Sequence, residues 1–309
     1  MFYKPSDQRH PFSSLILLLG TALFGFIVFA FMAYFIGYFV FGKDELLGLS
    51  DGTADIGIHK LFLMFSSIGM FVVPPFVFAR LESRNPGEYL NINMPKPWIS
   101  IVLGILIMLC VTPFIEWTVF LNQQMKLPAV LEPLESWMKY KEISAEILTK
   151  KLLVMNSAGG LLLNLIIIAV IPALGEEFLF RGCIQKIFTK WTNNYHLGIW
   201  AGAIIFSTIH VQFYGFIPRM ILGALFGYML VLSKSIWVPV IAHFYNNASA
   251  VIAAYVLQHQ GKSLDNLTKP AFQNWYLVIL SVIFTALLFM IFQRISLNDN
   301  FKVNERRLE

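Results

Sequence analysis

Residues 157–181 read SAGGLLLNLIIIAVIPALGEEFLFR. From Ala158 to Gly175 the stretch carries no ionisable side chain; then Glu176 and Glu177 follow in succession, with Arg181 after them. Such a run is long enough to cross a hydrocarbon core, which takes about 20 apolar residues. A charge at the centre of a membrane helix is disfavoured by roughly 2.5–3.5 kcal/mol on insertion scales, so acids in such a place are functional candidates by default.

The rest of the chain repeats the apolar pattern. Further segments lie at about 14–41, 61–79, 99–121, 197–211, 214–232, 236–257 and 275–293. Together with 157–175 they predict an all-α polytopic membrane protein with about eight transmembrane helices, the fifth short and tilted or partly re-entrant. Composition agrees. The 309-residue chain is 13% charged, about half the share usual in a soluble domain, and its mean hydropathy is +0.66. A single membrane domain over 1–309 is the simplest division. The stretch 15–41 is too long for a signal-peptide core and reads as a retained first helix.

The net charge of +5 is modest, and no basic run interleaved with aromatics points to nucleic acid. The expected partner surface is the lipid bilayer. Lys and Arg are in slight excess on the side holding Arg9, Arg84, Lys96, Lys186, Lys190 and Lys234, which places both termini in the cytoplasm by the positive-inside rule. The sequence is silent on oligomeric state. Cys110 and Cys183 fall in different segments and suggest no disulfide framework.

The connection 122–156 is not featureless. Leu131, Leu134, Trp137 and Met138 recur at helical spacing between Glu135, Lys139 and Glu142, which predicts one interfacial amphipathic helix. Gly223 and Gly227, and Gly198 and Gly202, have the small-xxx-small spacing of closely packed helices, here read as packing within the chain. Pro74, Pro75, Pro113, Pro172, Pro218 and Pro239 are expected to end or kink helices. Glu116 reads as a snorkelling or helix-paired acid and Asn164 as a hydrogen-bonding group between helices.

Polar chemistry gathers in the second half. Glu177 and Arg181 are one turn apart in the favourable order and predict a structural ion pair, whereas Glu176 projects about 100° away from Glu177. His210 ends the stretch FSTIH, and His243 and Asn247 are four residues apart on one helix face. Asn246 is expected to point elsewhere and be structural. Two carboxylates, two imidazoles and an amide on nearby membrane helices suggest hydrolysis. A carboxylate with an imidazole can deprotonate a water, while a second imidazole and an amide N–H can stabilise an oxyanion. The chain has neither a G-x-S-x-G elbow nor an H-E-x-x-H zinc motif, and Ser207 is a poor nucleophile candidate. Gln212, Phe213, Tyr214 and Gly215 are placed to line a substrate access path.

Glu176-Glu177-x-x-x-Arg181, then Phe206-x-x-x-His210, then His243-x-x-x-Asn247 resembles the CPBP family, which contains the CAAX prenyl endopeptidases and the bacterial Abi proteins. The resemblance covers a core region at about 160–257. It implies an intramembrane endopeptidase acting on a membrane-associated peptide or protein. Glu176 would be the water-activating base and His210 its partner, His243 and Asn247 the oxyanion site, and Glu177 and Arg181 the support. A zinc mechanism with Glu176, His210 and His243 as ligands competes with a metal-free one, and Asn247 favours the latter as an oxyanion donor. The resemblance is closer to the bacterial branch, hence a bacterial cytoplasmic membrane. The alternatives are a non-enzymatic immunity or scaffold protein that retains the polar site, and a proton-coupled transporter. The second is disfavoured by the lack of any internal repeat.

Overall fold

Helix α1 (Pro11–Phe41) turns most of its large side chains outward, Leu18 excepted, and packs inward chiefly through small ones. Phe24, Phe31, Phe35 and Phe39 are exposed, while Ser14, Ala22, Gly25, Ala33 and Gly37 are buried. Lipid tails are as apolar as leucine, so large side chains gain little by facing inward, and small residues let membrane helices approach closely. The computed structural model describes residues 9–51, 53–267 and 274–305, and every regular element among them is helical.

The long helices are α1, α2 (Ile56–Glu82), α3 (Ile99–Gln123), α4 (Glu132–Leu152), α5 (Ala158–Thr192), α6 (Tyr195–Ile209), α7 (Phe216–Ser233), α8 (Trp237–His259) and α9 (Trp275–Glu305). Among the described residues seven helical stretches are long and apolar enough to cross a membrane, and α6 is a shorter apolar helix. The expected polytopic all-α class and the short fifth segment are thus both found. The expected amphipathic helix is α4, with Leu134 and Trp137 exposed along it and Leu131 exposed just before it.

One expectation needs correction. The segment expected to stop near residue 175 continues as α5 to Thr192, so Glu176 and Glu177 lie mid-helix. The charges do not end the helix because Arg181, which could not face lipid alone, is buried in the protein interior beside Glu177. Two widened turns interrupt α5, at Leu165–Val170 and Glu177–Ile184. Such turns are frequent at functional sites.

Polar connections mark the two ends of the bundle. At one end Arg9 pairs with Glu82 at 2.5 Å, Lys186 reaches Tyr89 and Asn91, and Asn91 donates to the Lys234 carbonyl. At the other, Asn122 bridges to Phe213 and Ile217, Gln258 bonds Leu153 and Met155, and Lys150 pairs with Asp265. Gly223 and Gly227 meet α6 directly. A Cβ on Gly223 would lie 3.1 Å from that of Ala203, and one on Gly227 would lie 2.9 Å from Ile199 Cγ2. Their spacing therefore serves packing within the chain. Beside Pro113 a side chain from α9 bridges the α3 backbone: Ser281 Oγ donates to the Cys110 carbonyl at 2.6 Å and accepts from the Phe114 N–H at 3.2 Å. Asn164 joins elements as expected, donating to the Leu152 carbonyl at 2.8 Å. Cys110 and Cys183 are both free.

Candidate active site

The site begins with a missing donor. Pro172 has no N–H, so the carbonyl of Ile168, four residues earlier, lacks its usual helical partner. Asn247 Nδ2 on α8 donates to that carbonyl at 3.2 Å. The proline thereby fixes the amide of Asn247 against α5, and the second hydrogen of its NH2 group is left over.

The two glutamates divide in direction. Glu177 turns into the core, where Oε1 lies 2.8 Å from Arg181 Nη1 and 2.8 Å from His243 Nδ1. The expected Glu177–Arg181 pair is therefore present, with both side chains buried. The Arg181 guanidinium also lies over the rings of Phe206 and Phe226, 4.7 Å and 5.3 Å from their centroids, and it donates to the Gly223 carbonyl. Glu176 turns the other way and lines a cavity of about 410 Å³. Its Oε2 is 3.8 Å from His243 Nε2.

Both histidines are held from behind. His210 Nδ1 lies 2.7 Å from the Phe206 carbonyl. A carbonyl only accepts, so Nδ1 carries the hydrogen and Nε2 keeps its lone pair. His243 Nδ1 is committed to Glu177, and its ring stacks on Phe226 at 5.2 Å, which leaves Nε2 facing Glu176. His210 is the C-cap of α6, and the next residue, Val211, takes φ +52°. A β-branched residue in the left-handed region is strained, at roughly 1–3 kcal/mol; this bend stops α6 at the histidine.

Glu176, His210, His243 and Asn247 all line the 410 Å³ cavity. A second cavity, of about 810 Å³, shares Ile115, Gln123, Glu142, Leu222 and Asn246 with the first, so the two adjoin. Tyr214 and Gly215 line the smaller and Gln212 the larger, while Phe213 packs on Trp137 of α4 at 5.5 Å. The segment 212–215 thus rims the site. Glu116 lines the larger cavity. Ser207 is buried and donates to the Phe216 carbonyl, a structural contact.

Three site residues were not foreseen. Asn246, expected to point elsewhere, lines both cavities and donates to Asn247 Oδ1 at 3.1 Å. Neighbouring helical residues diverge by about 100°, and the joined cavities are wide enough to receive both. Arg219 and Glu142 also contribute polar groups at the cavity walls, where they join Gln212 of the expected access-path segment. Arg219 carried a signal that was passed over, a cation inside the apolar run 214–232. Among the described residues no three His, Cys, Asp or Glu side chains are placed to hold a metal ion, so Glu176, His210 and His243 do not form a ready ligand set.

Comparison with known proteins falls on the same region. Residues 158–249 match the family described as Type II CAAX prenyl endopeptidase Rce1-like. The Bacillus subtilis (strain 168) protein "Uncharacterized protein YpbD" is 29% identical over 89 residues, 28% of this chain and 42% of that one. "Putative membrane peptidase YdiL" of the same organism is 28% identical over 90 residues, 29% of this chain and 36% of that one. The match therefore spans less than half the length of these curated relatives. No solved structure matches the chain. The matched segment runs from the start of α5 to Asn247 and just beyond, enclosing Glu176, His210, His243 and Asn247, and over that segment the chain is similar to the Rce1-like CAAX protease family.

Proposed function

We propose that this protein is an intramembrane endopeptidase that hydrolyses a peptide bond of a membrane-associated substrate. The observation that carries the reading is the 410 Å³ cavity between membrane helices onto which Glu176, His210, His243 and Asn247 all face. Glu176 acts as general base. It takes a proton from a water whose other hydrogen is held by the His210 Nε2 lone pair, and the oxygen attacks the scissile carbonyl. The oxyanion accepts hydrogen bonds from the spare Asn247 N–H and from His243 protonated on Nε2. Collapse of the tetrahedral intermediate breaks the C–N bond, and protonated Glu176 returns its proton to the leaving amine. Glu177 acts through His243 by holding Nδ1 and so aiming Nε2; Arg181 holds Glu177 in place.

The test uses purified protein in liposomes with N-terminally acylated peptides as substrates, read by mass spectrometry. Glu176→Gln should lower cleavage about 10²- to 10⁴-fold, the usual contribution of a general base. Chelation by 1,10-phenanthroline should leave the native rate unchanged. Loss on chelation with recovery on added zinc would favour the zinc mechanism, with Glu176, His210 and His243 as ligands. Native-level cleavage by Glu176→Gln would overturn the reading.

A further inference from the structure

Two guanidiniums lie near the cavity, and they are held in different ways. Arg181 is buried, paired with Glu177 and set against two rings. Arg219 stands in the cavity wall among Glu176, His210 and Asn247. Its fork is fixed by uncharged acceptors: Nη2 donates to Gln212 Oε1 at 2.9 Å and Nη1 to the Gln212 carbonyl at 3.3 Å. Gly215 makes room for it, since a Cβ there would lie 2.7 Å from Nη2. Among the described residues no carboxylate comes within ion-pair distance of Arg219. The acids of the same wall are otherwise engaged, Glu142 with the Tyr214 N–H and Glu176 beside His243.

A cation inside a membrane segment ordinarily has an anionic or carbonyl partner. Here the direct partners are the amide and carbonyl of Gln212, with the carboxylates of Glu142 and Glu176 beyond ion-pair distance but near enough to be felt, in an arrangement that keeps the fork rigid and leaves further N–H groups over. A planar, immobilised guanidinium is suited to bidentate recognition of a carboxylate. We propose that Arg219 is a specificity residue that receives a carboxylate of the substrate close to the scissile bond, positioned for this by Gln212 and Gly215. The inference rests on the endopeptidase reading. The carboxylate has two sources, an Asp or Glu side chain or the α-carboxylate of a nearby chain end.

The experiment is a competition in liposomes, in which the protein is offered an equimolar library of N-palmitoylated peptides. The library contains matched pairs: Asp against Asn, Glu against Gln, and free acid against amide at the C-terminus. The native protein should cleave one class of acid members in preference to their amide partners, and the pair type that shows the preference names the source. Arg219→Gln should reduce that preference about 10- to 100-fold, through KM on the acid members, and slow the amide members far less. Arg219→Lys, which keeps charge without the fork, and Gln212→Ala, which frees the fork, should each reduce it in part; they serve if Arg219→Gln fails to fold. Cleavage without an acid preference, a preference that survives Arg219→Gln, or equal slowing of acid and amide members would overturn the proposal and leave the endopeptidase standing. Absence of Glu176-dependent cleavage of any member would overturn the endopeptidase reading, and the assignment of Arg219 with it.

Discussion

At the scale of single residues, the site is built by giving each polar atom one partner behind and one free face. Pro172 frees a carbonyl for Asn247, Phe206 anchors His210, and Glu177 anchors His243. Glu177 is the keystone because it also neutralises Arg181 inside the bundle. Removing one partner of a buried pair leaves an uncompensated charge, at about 3–5 kcal/mol. Glu177→Gln should therefore lower the thermal midpoint in detergent markedly, whereas Glu176→Gln, facing the cavity, should leave it near native. Equal midpoints for the two variants would show that Glu177 does not hold the core. The four catalytic candidates were legible in the sequence because ionisable and amide groups stand out in apolar runs. Asn246 and Glu142 were not, because their relevance depends on which walls the fold brings together, and nothing in the residue type announced the left-handed Val211.

At the scale of elements, α4 is placed to cover the site. Trp137 packs on Phe213, and Glu142 Oε2 accepts from the Tyr214 N–H at 3.4 Å. Burial raises the Glu142 carboxyl above the usual carboxylate range, against the lowering pull of the Tyr214 N–H and of Arg219; Glu146 adds to the rise. A carboxyl whose pKa is higher in the docked arrangement favours docking most at low pH. That contribution is full below its ordinary pKa and fades as pH climbs through the raised value. Hydrogen exchange in residues 132–152 should accordingly speed up with rising pH across that window beyond the intrinsic rate change. Glu142→Gln should abolish the extra dependence; the same pH response in that variant would place its origin elsewhere. The existence of α4 was readable from the spacing of Leu131, Leu134 and Trp137. Its docking was not, since Glu142 and Tyr214 are far apart in sequence. The end of α5 was misread for a related reason: local polarity at Glu176 and Glu177 looks like a helix boundary until Arg181 and His243 supply partners from within the bundle.

At the scale of the whole molecule, the two ends differ in charge and in access. One gathers Arg9, Lys186, Lys190 and Lys234 with Glu82 and Asn91. The cavities are rimmed instead by α4, residues 212–215, and Leu264 and Leu267 after α8. We propose that the basic end faces the cytoplasm and the cavities open to the opposite side. In a Cys110→Ala, Cys183→Ala background, Lys141→Cys should react with an impermeant maleimide on intact cells, and Arg84→Cys only after permeabilisation. The reverse pattern would invert the topology and leave the chemistry intact. The central claim is that the cavity cleaves membrane-associated protein, and the most direct measurement is N-terminal peptide mapping of membranes from cells carrying either the native chain or Glu176→Ala at equal inserted levels. The expected result is a set of new N-termini that vanishes with Glu176; an identical set in both would contradict it and favour a non-enzymatic membrane partner.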